Sequence, residues 1–447
     1  MSGTITLVEH GSLTTAACAQ TLDERTIDQA DFDWLAQAMV PGPNGATTLF
    51  RRDGSHRVKA NNYVGVVETP GGTVVEILPK HHDDTMSVAE TRRLLGGMIE
   101  TALDLPAREV GEAHLSLFDG PLSEWVARRF LDALDRLLKR GLRSEYVRVE
   151  EEQRFLRGQL NLEAQLRQPP GRAHRFHIRH DVFSPDRPEN RLLKSALTLV
   201  GSRTRNAANW RLARELLAVL HELPSSANLA ADFERWSSDR LMTHYQPVRP
   251  WCELVLGRRT PLSVHGAWRG ISMLFPMEKL FERYVEAALR RALPSNAVLT
   301  SQAASRHLCR YEEKGFFQLR PDLSLTVGDQ RWILDAKWKR LDASDRDNRF
   351  GLSQSDFYQM FAYGQKYLDG VGDLVLIYPL TARFPSPLGP FEFSDSMRLW
   401  VLPFDLHARK LRVPCVDSAM ALRLFDGYTR SDNDRAPVEN LSQDHKA

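Results

Sequence analysis

Arg320-Pro321-Asp322-Leu323-Ser324-Leu325-Thr326-Val327-Gly328-Asp329-Gln330-Arg331-Trp332-Ile333-Leu334-Asp335-Ala336-Lys337-Trp338 reads as two short strands joined by a two-residue turn. Glycine at the first place of such a turn suits type II′, whose first central residue needs a positive φ. The turn puts Val327 opposite Gln330, and counting back five residues on each side puts Asp322 opposite Asp335. Side chains alternate across a strand, so Asp322, Ser324 and Thr326 share a face with Ile333, Asp335 and Lys337. Leu323, Leu325, Val327, Trp332, Leu334, Ala336 and Trp338 form an apolar face that belongs against a core. Opposed carboxylates in an antiparallel pair have β-carbons roughly 5 Å apart and repel. A divalent cation between them would remove the repulsion. Mg²⁺ prefers carboxylate oxygens and keeps several waters, which suits a site that holds a phosphate beside an attacking water. Lys337 is placed to orient or help deprotonate that water, or to stabilise charge on phosphoryl oxygens.

Pro321-Asp322, twelve intervening residues and Asp335-Ala336-Lys337 resemble the PD-(D/E)xK nuclease signature. The flanks fit the same reading. Upstream, Pro276 stands at the start of an amphipathic helix with apolar residues at 280, 281, 285, 288 and 289. Downstream, Ser355 to Tyr367 reads as a second helix with a serine near its N-cap, followed by buried strands over 373–378 and 398–402. Helix, hairpin, helix, strand, strand is the order that this nuclease core requires. The resemblance implies catalytic roles for Asp322, Asp335, Lys337 and Glu282. It also implies a metal held by Asp322, Asp335, Glu282 and the Ala336 carbonyl, with Mg²⁺ as cofactor and Mn²⁺ as a substitute.

A more specific resemblance is to the McrC family, the nuclease subunits of McrBC modification-dependent restriction systems. It rests on Asn62-Tyr63-Val64-Gly65-Val66-Val67 with Val75-Glu76-Ile77-Leu78-Pro79-Lys80, on Leu156-Arg157-Gly158-Gln159-Leu160 and on Glu189-Asn190-Arg191-Leu192-Leu193-Lys194. The Leu280–Val285 helix, the catalytic hairpin and Tyr358-Gln359 complete it. The resemblance implies a McrB-like AAA+ GTPase hexamer as partner, bound through the N-terminal region, and modified double-stranded DNA as substrate. It thus implies GTP-dependent, 5-methylcytosine-directed type IV restriction in phage defence. The alternatives are a LlaJI-like type II restriction subunit, a stand-alone PD-(D/E)xK nuclease, and a non-catalytic activator of a GTPase ring. The sequence contains no G-x-x-x-x-G-K-[ST] loop, so GTP is expected to act only through the partner chain.

The 447 residues suffice for two or three domains. A formal net charge of +2 excludes nucleic-acid binding by bulk charge, so contacts must come from local patches or from a partner. Cys18, Cys252, Cys309 and Cys415 are far apart and form no C-x-x-C pair, which argues against a disulfide framework or a zinc knuckle and for a reducing cytoplasm. No signal peptide or membrane-spanning apolar run is read, so no membrane association is expected.

The expected fold class is α/β, α+β overall, in three parts. Residues 1–105 form a β-rich N-terminal domain that docks the GTPase, with a hairpin over 63–78 turning at Pro70-Gly71-Gly72 and a helix from Ser87 to Leu103. Residues 106–250 form a mainly helical middle domain, with helices over 125–138, 191–200 and 210–223. Within it, Gln153 to His180 carries six arginines against one acid, Glu163, in what reads as a basic hairpin. Arg154, Arg157, Arg172, Arg175 and Arg179 are candidate DNA or partner contacts. Residues 251–425 form the restriction-endonuclease-like domain, a central mixed sheet flanked by helices. Residues 426–447 are polar and expected to be disordered.

Overall fold

The computed structural model describes residues 3–42, 45–80, 86–105, 120–172, 174–257 and 272–414. The expected tail over 426–447 lies outside them. The architecture is mixed α and β, and no helix among the described residues is long and apolar enough to cross a membrane.

The hairpin adopts the register that its turn dictates. Strand Leu323–Val327 pairs antiparallel with Gln330–Ala336, with Val327 opposite Gln330 and Leu323 opposite Leu334. Gly328 takes φ 56 while Asp329 is not among the positive-φ residues, the II′ pattern. This hairpin sits inside a seven-stranded sheet, between strand Ala297–Ser301 and the parallel strands Gly372–Pro379 and Met397–Asp405. Parallel pairing needs a long crossover, and helix Gln354–Tyr367 supplies it between Ala336 and Gly372.

Both faces of the sheet are covered. Leu323, Leu325, Trp332 and Leu334 pack with Phe281 and Tyr284 of helix Met277–Ala292. Ile333, Leu374 and Leu376 pack with Met360, Tyr363 and Tyr367 of the crossover helix. The carboxylate face of the hairpin therefore lies under a helix, and both faces are core. Such double burial explains the unbroken apolar run Leu374–Tyr378.

The N-terminal sheet runs Thr4–Val8, Val74–Leu78, Tyr63–Glu68, Ser272–Pro276. Its last strand comes from the segment that the sequence reading assigned to the nuclease. At that junction Gly65 takes φ 128, and a β-carbon on it would lie 1.9 Å from the Met273 carbonyl oxygen. Only glycine allows the two backbones to approach so closely. Helix Val88–Ala102 opens on a reciprocal capping box between Ser87 and Glu90. A second tie joins the chain's two ends: Glu9 is 1% exposed and accepts hydrogen bonds from Trp338 Nε1 at 2.9 Å and the Lys80 amide at 3.2 Å. Trp338 in turn packs on Phe281, with ring centroids 5.3 Å apart.

The three helices expected in the middle segment form as Leu122–Arg140, Pro188–Arg203 and Ala207–Val219. Buried Asn190 donates to the carbonyls of Arg143 and Pro185 and accepts from Tyr245 Oη, all bonds within the fold. The basic hairpin is less basic than its sequence window suggests. Strand Phe176–Ser184 pairs with Glu145–Gln153, which brings Glu150 and Glu152 across from the arginines. Arg179 pairs with Glu150 at 2.6 Å, and Arg172 and Arg175 lie 3.8 and 3.5 Å from Glu152. Arg154 and Arg157 stay exposed beside Phe155 and Leu156, which are 60% and 59% exposed.

Candidate active site

Period-two alternation and a helix roof bring three of the four expected catalytic side chains together. Asp322 lies one residue before its strand, and its Oδ2 accepts the Ala336 amide at 2.9 Å. Asp335, 1% exposed, shares the strand face of Ile333. Lys337 Nζ sits 2.7 Å from Asp335 Oδ2 and 3.1 Å from Gln359 Oε1. Gln359 donates to Tyr363 Oη at 2.7 Å, and Tyr363 donates to the Arg320 carbonyl at 2.9 Å. The lysine is thus held by a chain of bonds that returns to the residue two places before Asp322.

Glu282 is buried, its charge acts on both Asp322 and Asp335, and its own carboxylate is held by other side chains. Lys279 Nζ reaches its Oε2 at 2.5 Å and Gln302 Nε2 its Oε1 at 2.9 Å. Gln302 also donates its backbone amide to the Asp322 carbonyl at 2.8 Å, so it bridges Glu282 to the hairpin. Among the described residues no three His, Cys, Asp or Glu side chains converge as a metal set.

Burial raises the Asp322 carboxyl above the ordinary aspartate range, and the charges of Asp335 and Glu282 push the same way. Burial raises Asp335 too, although the Lys337 ammonium opposes the shift. For Lys337, burial pulls downward, but Asp335 outweighs it and the net shift is upward. An ammonium donates and cannot take a proton, so this geometry suits Lys337 to orienting water and neutralising charge. Asp335 Oδ2 is buried without an aligned hydrogen bond, even though Lys337 lies at ion-pair distance. A buried acid pair beside a single ammonium fits a hard cation, because Mg²⁺ takes one or two carboxylates and keeps its remaining waters. Asp322, Asp335 and the Ala336 carbonyl supply that kind of donor set.

Gln302, Gln359 and Tyr363 were not among the expected site residues. Gln359 and Tyr363 are spaced i, i+4 and so share a helix face, but that spacing gains meaning only once the helix is known to cover the hairpin.

A family model described as McrBC 5-methylcytosine restriction system component matches residues 58–379. The chain belongs to this McrBC family. The matched span takes in the 63–78 hairpin, the two arginines Arg154 and Arg157, and the whole Asp322, Asp335, Lys337 constellation. Among solved structures, one similar chain comes from the refined half-complex of a tetradecameric assembly of Thermococcus gammatolerans McrB AAA+ hexamers with bound McrC. It is 21% identical, with a TM-score of 0.65, over 90% of this chain and 94% of that one. A chain of the cryo-EM structure of the Thermococcus gammatolerans McrBC complex is 22% identical, with a TM-score of 0.50, over 65% of this chain and 88% of that one. At such identities the likeness is one of fold. No curated protein matches the chain.

Proposed function

We propose that this McrBC-family chain is a McrC-like endonuclease subunit. It hydrolyses phosphodiesters of modified double-stranded DNA and works with a McrB-like AAA+ GTPase hexamer that it binds and stimulates. The observation that carries the reading is the buried Asp322 and Asp335 pair, which share one ammonium, Lys337, 2.7 Å from Asp335. When bound, Mg²⁺, or Mn²⁺ in its place, supplies that charge and neutralises the phosphate under attack. Asp322, Asp335 and the Ala336 carbonyl would hold it, with the Asp322 carboxylate fixed by the Ala336 amide. Lys337, steadied by Gln359, aligns the attacking water and offsets charge on the phosphoryl oxygens. Glu282, held by Lys279 and Gln302, would be the further carboxylate available to that metal. Arg154 and Arg157, exposed among apolar side chains, are the members of the arginine set that remain for DNA or partner contact.

The test uses the full chain, its Asp335→Ala variant and a McrB-like GTPase from the same source, with 5-methylcytosine-modified and unmodified plasmid. Wild type should cut modified plasmid only with Mg²⁺, GTP and partner. Asp335→Ala should lose cleavage to below detection while still stimulating GTP hydrolysis. Cleavage that survives in Asp335→Ala removes the site assignment. Cutting without the partner marks a stand-alone nuclease, cutting of unmodified DNA marks the LlaJI-like alternative, and stimulation without any cutting marks a pure activator.

A further inference from the structure

Just before Pro321-Asp322 the chain leaves the sheet as a two-stranded ribbon, Arg306–Tyr311 paired with Lys314–Leu319. It pairs with no other strand among the described residues, and every residue is exposed except the half-buried Leu319. An isolated hairpin is at best marginally stable in water, and unpaired edges invite other chains. This one also keeps Tyr311 64%, Phe316 43% and Phe317 72% exposed. Its tip strains further, with positive φ at both Glu312 and Glu313. Such a ribbon is costly unless something covers it.

The chemistry of its faces indicates what does. The register puts Arg306, Leu308 and Arg310 on one side, and His307, Tyr311, Lys314, Phe316 and Gln318 on the other. Arg306, Arg310 and Lys314 form no ion pair within the described fold, while the two acids are confined to the turn. Two arginines on one face, and a lysine beside aromatic rings on the other, suit phosphates and the sugar and base edges between them. Six-residue strands span roughly 20 Å, and the major groove of duplex DNA admits a two-stranded ribbon of this kind. The base of the ribbon is fixed: Tyr367 Oη reaches the Leu319 carbonyl at 2.8 Å and Tyr363 Oη the Arg320 carbonyl at 2.9 Å. Tyr363 is the residue that holds Gln359 against Lys337.

We propose that residues 306–319 are a DNA arm that lies in a groove of the duplex next to the scissile phosphate, with its base keyed through Tyr363 and Gln359 to Lys337. The inference rests on the nuclease reading for the position of that phosphate. Its test is duplex binding by the full chain, measured by fluorescence anisotropy with a 30-base-pair DNA in Ca²⁺ across a KCl series. The Arg306→Ala/Arg310→Ala/Lys314→Ala variant is compared with wild type, and thermal melting verifies that each is folded. The arm variant should bind at least tenfold more weakly at low salt, and its log K against log salt should flatten by about two to three. Unchanged affinity and slope in the arm variant overturn the proposal, as does a wild-type chain without duplex affinity at the lowest salt. It is overturned as well if the arm variant loses the GTPase partner while keeping DNA. Weakened binding by the arm variant in a protein that never cuts DNA leaves the arm standing and removes the nuclease reading alone.

Discussion

A buried carboxylate needs a proton, a cation or several donors, and Glu9 has only part of this. Its Oε2 has two hydrogen bonds and its Oε1 has none. Burial, opposed by the Trp338 and Lys80 bonds, pushes its pKa up from 4.5 to about 7. The folded state therefore holds a proton that the unfolded state releases, so stability should fall as pH rises from 4.5 through 7. Glu9→Gln should remove that slope. At pH 8 it should be more stable than wild type by on the order of 3 kcal/mol, and at pH 4 about equal, as read by urea unfolding at the two pH values. The reverse ranking would mean that Glu9 is ionised and better paired than its contacts indicate. The same electrostatics made Asp322 and Asp335 legible in the sequence, because alternation alone sets them opposite each other. Gln302, Gln359 and Tyr363 were not legible, since neutral side chains leave no such mark and gain a role only from a helix packed over the hairpin.

At the scale of elements, close approach decides which glycines matter. Gly65 and Gly141 both take positive φ, at 128 and 94, but a β-carbon meets the Met273 carbonyl at the first and nothing within 4 Å at the second. Gly141→Ala should cost only backbone strain, about 1–2 kcal/mol. Gly65→Ala should cost on the order of 4 kcal/mol or prevent folding, because it separates two paired strands. Chemical denaturation of the two variants side by side distinguishes them, and equal losses would mean that the strand junction yields easily. The 322–338 hairpin could be read because Gly-Asp stands between two apolar runs. The 306–319 ribbon could not, because its turn is Glu-Glu and its strands mix charged and aromatic residues with no buried face. The acids that face the basic hairpin could not be read from its own window. Its neutralising acids, Glu150 and Glu152, precede the window and reach the arginines only across the ladder.

At the scale of the whole molecule, the main core draws Val64 from the first segment, Phe130 and Leu197 from the middle and Phe281, Trp332 and Leu402 from the last. A fragment spanning 251–425 would expose the Ser272–Pro276 strand along the edge it gives to Tyr63–Glu68 and strip Glu9 from Trp338. Such a fragment should aggregate on gel filtration at concentrations where the full chain elutes as a discrete species. A well-folded, dispersed fragment would mean that the shared sheet is dispensable. Boundaries drawn from composition alone miss this sharing, because a strand of five apolar residues looks the same whichever sheet it joins.

The strand that crosses from the back of the chain to the front sheet also bears on inheritance. A genetic exchange that falls anywhere between residues 80 and 272 would give the two halves of one sheet different ancestries, and the closely approaching backbones at Gly65 and the Met273 carbonyl would then come from lineages never selected together. Swapping the 272–414 segment among relatives should therefore succeed only when residues 3–80 travel with it.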